Sequence, residues 1–484
     1  MFYVLRWEAT MKKGPILNDT SYNFTTRDSL GIAGVATSIS AELCPIVTTV
    51  TPRAFYWPFM IWIYNDFYHN TNISKKTEKE FNKYVKKQDY FFVMASLINH
   101  NDENNLVGKT KAKEDLEGPG PYPYNKDYFK VNFGGMQYYS GGCVEMNYVI
   151  REDPETHEKY NPAHLHITGV EMAEAFEEVI KESEYYKNYR KKNDPVPREV
   201  LKEYGEYINL GLKGFDKCKE LLRHKLFETK KNDELRQCKD YIVYLYQNYH
   251  IHELKKETCR ELFFDYETPD HVKITIPDEL KKIAKKWEIV IGRQYFTYSV
   301  ELIWQYMLEE LLEPMSLKQW KKHVIESSEL SFDNESKVSE FLNQCMLGFE
   351  EREAYCKGFH AVEDGLKVML SIYNRFAENK EFEEYQYYMA YRIDERSIPF
   401  TEFFQKVEEY RDKTVIEFLD FIMTEWIVKQ HYYTAFEKML YERDGFFYEE
   451  VDGIYFQKHS RFKAEFQGVR MIQLMQIMKD LDML

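Results

Sequence analysis

The sequence predicts a mainly α-helical, multi-domain protein with small β-hairpins and winged-helix-like units in its N- and C-terminal parts. Three observations carry that prediction. Apolar residues recur at helical spacing almost throughout 185–395. Near both ends, a helix, two short β-prone runs and a second helix follow one another. In the second of these orders, aromatic runs flank Asp452-Gly453, a dipeptide suited to a tight hairpin turn. The pattern divides the chain into a winged-helix-like unit (1–185), a helical bundle (186–395) and a helix–hairpin–helix unit (396–484).

Residues 1–30 are polar and mixed, and read as a partly ordered arm. "SLGIAGVATSIS" (29–40) forms a small-residue helix, which "PIVTTVTP" then breaks. "RAFYWPFMIWIYNDFYHN" resumes the helix, with Phe55, Phe59, Trp62 and Ile63 on one face. "FNKYVKKQDYFFVMASLINHN" is a further amphipathic helix. "DLEGPGPYPYN" (115–125) holds three Pro and two Gly and is a loop. "KDYFKVNFGGMQYYSGGCVEM" reads as a short helix interrupted by two glycine pairs. "NYVI" and "HLHIT" are strands, and "TGVEMAEAFEEVIKES" is a helix with Thr168 as N-cap, Glu171 completing a capping box, and Met172, Phe176, Val179 and Ile180 inward.

Helices continue beyond Pro195 and Pro197, broken near 269–280 and 328–336. Phe359, Val362, Leu366, Met369 and Tyr373 mark one buried face. Ile416, Leu419, Met423 and Trp426 mark another. The last helix turns Met471, Leu474, Ile477, Met478 and Leu481 inward.

Composition bounds the function. The net charge of −15 argues against a chain-wide nucleic-acid footprint, although 65 Lys and Arg leave room for a local basic face. Seven scattered Cys without a Cys-x-x-Cys fit free thiols in a reducing cytoplasm. The N-terminus makes a poor signal peptide. The apolar stretch 42–64 does not read as a membrane span, because Glu42, Arg53 and Asp66 cut it short and Pro45, Pro52 and Pro58 disturb it.

The motifs that mark common chemistries are missing: no phosphate-binding Gly-rich loop ending in Lys, no dinucleotide fingerprint, no His-Glu-x-x-His and no serine elbow. His164 and His166 lie two apart on a predicted strand, hence on one face, which suits metal binding. Two ligands fall short of the three or four that zinc takes, so they are weak metal candidates and no cofactor is expected. Arg53 has two roles open to it. It binds an anion beside helix amides, or it forks to a buried carboxylate. No second basic residue is near it in sequence, which favours the carboxylate. Thr48, Thr51, Arg53 and Tyr56, with Lys126 and Lys130, are the candidate binding residues.

"DSLGIAGVATSISAELCPIVTTVTPRAFYWPFMIW" resembles the N-terminal signature of bacterial proteins encoded near anti-phage defence genes. Their pattern is Leu-x-Pro-Gly-Ile-Thr-x-x-Thr-x-Arg-Ala-Arg-Tyr-x-x-Phe-x-x-Trp. Leu43, Pro45, Thr48, Thr51, Arg53, Ala54, Tyr56, Phe59 and Trp62 match it, while Ile46 stands at its Gly and Phe55 at its second Arg. "HLHITGVEMAEAF" and "MIQLMQIMKDLDML" look like endings of winged-helix units. The resemblance implies a defence context; with the missing catalytic motifs and the helix–hairpin–helix order at both ends, it leads to the expectation of a non-catalytic adaptor, sensor or scaffold in a multi-protein defence complex. Its expected partners are other subunits, such as an ATPase or nuclease, and DNA through a winged helix, with no membrane. A metal-dependent nuclease and a winged-helix transcriptional regulator are the alternative expectations.

Overall fold

The computed structural model describes residues 28–70, 76–99, 106–131, 134–153, 155–229, 232–377, 379–439, 446–451, 455–458 and 460–484. The expected N-terminal arm, up to residue 27, and the Asp452-Gly453 turn lie outside them. Helix dominates, with small antiparallel sheets. Among the described residues no helix is long and apolar enough to cross a membrane.

Among the described residues the first element is α1 (Gly34–Leu43), whose first amide donates to Asp28 Oδ2 at 2.9 Å. Pro45 follows and the helix ends. After the Thr-rich break comes α2 (Tyr56–Asn70), with Pro58 in its first turn, where an N–H needs no helical partner. Next is α3 (Glu78–Ile98), N-capped by Thr77, which accepts from the Glu80 amide. The short helices α4 (Lys109–Leu116) and α5 (Ser140–Glu145) lead to strands β1 (Val149–Glu152) and β2 (Lys159–Leu165). Val149 pairs with Leu165 and Ile150 with His164. The helix α6 (Ile167–Ile180) closes this region. Its N-cap is His166, not Thr168: the Thr168 amide and hydroxyl turn back onto the imidazole, two residues before the expected cap.

Rings fill the space between these helices. Phe55 stacks on Phe92 of α3 at 4.7 Å, and Phe176 of α6 stacks on Phe215 at 4.9 Å. All four are buried, and offset ring pairs of this kind add roughly 0.5–1.5 kcal/mol beyond area burial.

Beyond Pro197 run α7 (Arg198–Tyr207), α8 (Asp216–Arg223), α9 (Asp233–Tyr249) and α10 (Lys256–Arg260). The 32-residue α11 (Asp278–Glu309) is then buried on almost every side from Trp287 to Leu308, as an axial helix must be. A two-residue strand β3 (Met315–Ser316) leads into α12 (Leu317–Ser327), started by a Ser316/Gln319 capping box. The helices α13 (Val338–Leu342) and α14 (Phe349–Tyr355) precede α15 (Ala361–Phe376), which lies along α11. A Cβ on Gly365 would stand 2.8 Å from the Ser299 carbonyl oxygen, so this close crossing depends on glycine. Val362, Leu366, Met369 and Tyr373 are buried as expected. Phe359 is not: it is 83% exposed, because the chain turns through Gly358 in the left-handed region (φ +69°) before the helix begins.

The remaining elements are α16 (Gln386–Met389), α17 (Phe400–Tyr410) and α18 (Val415–Phe421). A π-helical stretch, Ile422–Lys429, carries α18 on into α19 (Gln430–Met439). Leu419, Met423 and Trp426 are buried in this run; Ile416 is only partly so. Strands β4 (Tyr448–Val451) and β5 (Tyr455–Lys458) form the expected hairpin, and β3 adds to it in the order β3-β5-β4. The chain closes on α20 (Arg470–Asp480), and all five expected inward residues are fully buried. One apolar cluster holds residues from Leu30 to Leu481.

Candidate functional site

The Thr-rich loop between α1 and α2 is held by the far end of the chain. Arg53 forks onto Asp480, with Nε to Oδ2 and Nη2 to Oδ1 both at 2.9 Å. The Ala54 amide donates to the same carboxylate at 3.0 Å, and Gln476 Nε2 at 3.2 Å. Burial pushes the Asp480 carboxyl up, and the Arg53 guanidinium pulls it back. Arg470 of α20 donates to the carbonyls of Cys44 and Val47. Two polar pins from one helix thus fix the loop at both ends.

The other predicted residues of this stretch also turn into the fold. Thr51 Oγ1 accepts from the Thr48 amide at 2.8 Å and donates to the Thr48 carbonyl at 3.0 Å, closing a turn. Tyr56 is fully buried, stacks on Tyr139 at 4.8 Å and accepts from the Val107 amide. The Tyr139 hydroxyl in turn accepts from the Arg53 amide. Of the two roles open to Arg53, the geometry displays the carboxylate fork. Ile46 has φ +69°, a left-handed backbone that a β-branched residue adopts only under strain. Glycine would sit there without it, which gives a physical reason for Gly at this place in the signature.

The two histidines do not share a strand face. His164 lies within β2, stacked on Tyr160 at 4.2 Å, whereas His166 has left the strand to cap α6. Among the described residues no three His, Cys, Asp or Glu side chains converge to hold a metal ion. All seven cysteines are buried free thiols, and burial raises each thiol pKa.

Lys126 lies elsewhere, in an open cleft of about 500 Å³ along the start of α3. Lys79, Lys83 and Lys86 of α3, Asn82, Glu78 and Tyr124 complete its lining. The Lys86 ammonium donates to the Phe129 carbonyl at 3.0 Å, which ties the 124–130 loop to the helix. Lys130 is exposed one residue further on and does not line the cleft. Sequence reasoning selected Lys126 but passed over the three α3 lysines. Their i, i+4, i+7 spacing was the available signal.

A second surface feature lies on α19. His431, Thr434 and Ala435 face inward, and the opposite face exposes Tyr432, Tyr433, Phe436 and Met439, each between 44% and 56%. Tyr432 and Phe436 stand parallel at 6.4 Å. Arg396 pairs with Glu437 and brings the exposed Ile393 segment alongside.

No family model matches the chain, and the searches of curated proteins and of solved structures gave no match.

Proposed function

We propose that the protein is a non-catalytic subunit, an adaptor, sensor or scaffold, of a bacterial multi-protein anti-phage defence complex, and that it docks a partner protein through α19. The exposed aromatic ridge Tyr432, Tyr433, Phe436 and Met439 carries this reading. Aromatic and Met side chains are enriched at protein interfaces, and contiguous exposed apolar patches mark such sites. The inward side of α19 is anchored by buried residues, so the rings are presented on a rigid support and lose little freedom on docking. The N-terminal signature supplies the defence context.

The helix–hairpin–helix orders at 140–180 and 430–480 support a winged-helix-like reading of both ends. The first hairpin is a poor match for a phosphate backbone, since its outer part carries Glu152, Asp153, Glu155 and Glu158 against Arg151 and Lys159. The test is co-expression with the products of the flanking genes, followed by light scattering on the purified material. A stoichiometric complex is expected, dissociated by Tyr433→Asp with Phe436→Asp while the isolated variant keeps its helical content. A chain that stays monomeric in every pairing, or a complex indifferent to both substitutions, overturns the proposal.

A further inference from the structure

We propose that the lysine cleft at the start of α3 binds the phosphate backbone of single-stranded nucleic acid, independently of whatever docks on α19. The cleft gathers Lys79, Lys83, Lys86 and Lys126 in a chain whose net charge is −15. Elsewhere on the surface, lysines commonly hold a carboxylate, as Lys111, Lys181, Lys187 and Lys217 do. Among the described residues, no ion pair neutralises Lys79, Lys83 or Lys126. The concentrated positive field is therefore available to a ligand.

The arrangement fits a strand. At a rise of about 1.5 Å per residue, Lys79 to Lys86 spans about 10 Å of helix axis. That row is long enough to face more than one phosphate of a strand, where a single anion would need only one point of contact. Lys79 lies in the first turn of α3, where the helix dipole also favours negative charge. Tyr124 is half-buried against Tyr90 at 5.8 Å and lines the cleft with its remaining surface. An aromatic beside a basic groove is what single-strand binders use to stack a base. Asn82 adds an amide to the wall. Among the described lining residues Glu78 is the one carboxylate, and it opposes binding.

The experiment is fluorescence anisotropy with a labelled twelve-nucleotide single strand, titrated across salt concentrations, on the full chain. Wild type is expected to bind with an affinity that falls as salt rises. Replacing Lys79, Lys83 and Lys126 by Ala should weaken binding at least tenfold and lower the steepness of the log–log salt dependence by about 2. Glu78→Gln should tighten binding, an effect that misfolding cannot mimic. Tyr124→Ala should weaken oligonucleotide binding about tenfold and leave inorganic polyphosphate binding unchanged. Absence of oligonucleotide binding overturns the proposal, as does a salt dependence that the lysine substitutions leave unaltered. Equal affinity for polyphosphate with no effect of Tyr124 would assign the cleft to bare polyanions and overturn the nucleic-acid reading.

Discussion

Arg53 and Asp480, 427 residues apart in sequence, form a buried two-pronged ion pair that fastens the loop entering α2 to the last turn of α20. Taking both charges out of water is costly, and the fork, the Ala54 amide and the Gln476 amide offset that cost together. Removing one partner leaves the other charge buried alone. Arg53→Ala or Asp480→Ala should therefore destabilise the fold by about 3–5 kcal/mol. The double variant should cost less than the two singles added, with a coupling of about 1–3 kcal/mol in a denaturant double-mutant cycle. Additive effects would show that the fork contributes nothing specific.

His431 makes stability sensitive to acid. Its Nδ1 faces the Ser29 carbonyl oxygen at 3.1 Å, and its Nε2 faces the Phe447 amide at 3.0 Å. Only the neutral ring with its proton on Nδ1 satisfies both. Burial lowers its pKa from 6.5 to about 4, and Lys438 adds to the shift. The unfolded chain binds this proton first, so stability is lost as pH falls from about 6.5 towards 4, by up to about 1.4 kcal/mol per unit. Thermal unfolding across this range should show the decline. His431→Phe should be less stable at pH 7, because two backbone groups lose their partner, but should show a flatter acid limb.

Glu301 acts in the opposite sense. It lies in the C-terminal third of α11, buried, with Asp28 and Glu465 as neighbouring carboxylates and the Glu465 amide as donor. Burial raises its pKa to about 8. Its folded pKa exceeds the unfolded one, so its contribution is complete below about 4.5 and is lost as pH rises through 8. Glu301→Gln keeps an acceptor for the Glu465 amide and removes the ionisation. The variant should gain stability over wild type at pH 8–9 and lose that advantage near pH 5. Parallel stability curves would refute this.

Gly365 tests the packing of the axial helix. Because a Cβ there would meet the Ser299 backbone oxygen, which cannot swing away, Gly365→Ala should separate α15 from α11. The expected cost is about 1–3 kcal/mol despite the better helix propensity of Ala. A stabilised variant would show that the crossing is looser than described.

Local pattern made much of this fold legible. The α20 inward set, the 419–426 stripe and the two hairpins follow from spacing and turn chemistry within a few residues of each other. What escaped depends on distant or conditional partners. Nothing near Arg53 points to Asp480. β3 is two residues long and becomes a strand only by pairing Met315 with Phe456. His166 alternates correctly for a strand, yet its imidazole is taken by the Thr168 amide and hydroxyl at the start of α6. The α3 lysines look the same on a solvated helix face as beside a cleft. The α19 rings look like core until His431 and Ala435 are seen to occupy the buried side.

Hydrogen exchange on the complex tests the docking proposal most directly. With a partner bound, amide protection should rise over Tyr432–Met439 and remain unchanged along α11. Exchange in α19 that is the same in the free chain and in the complex would contradict the account.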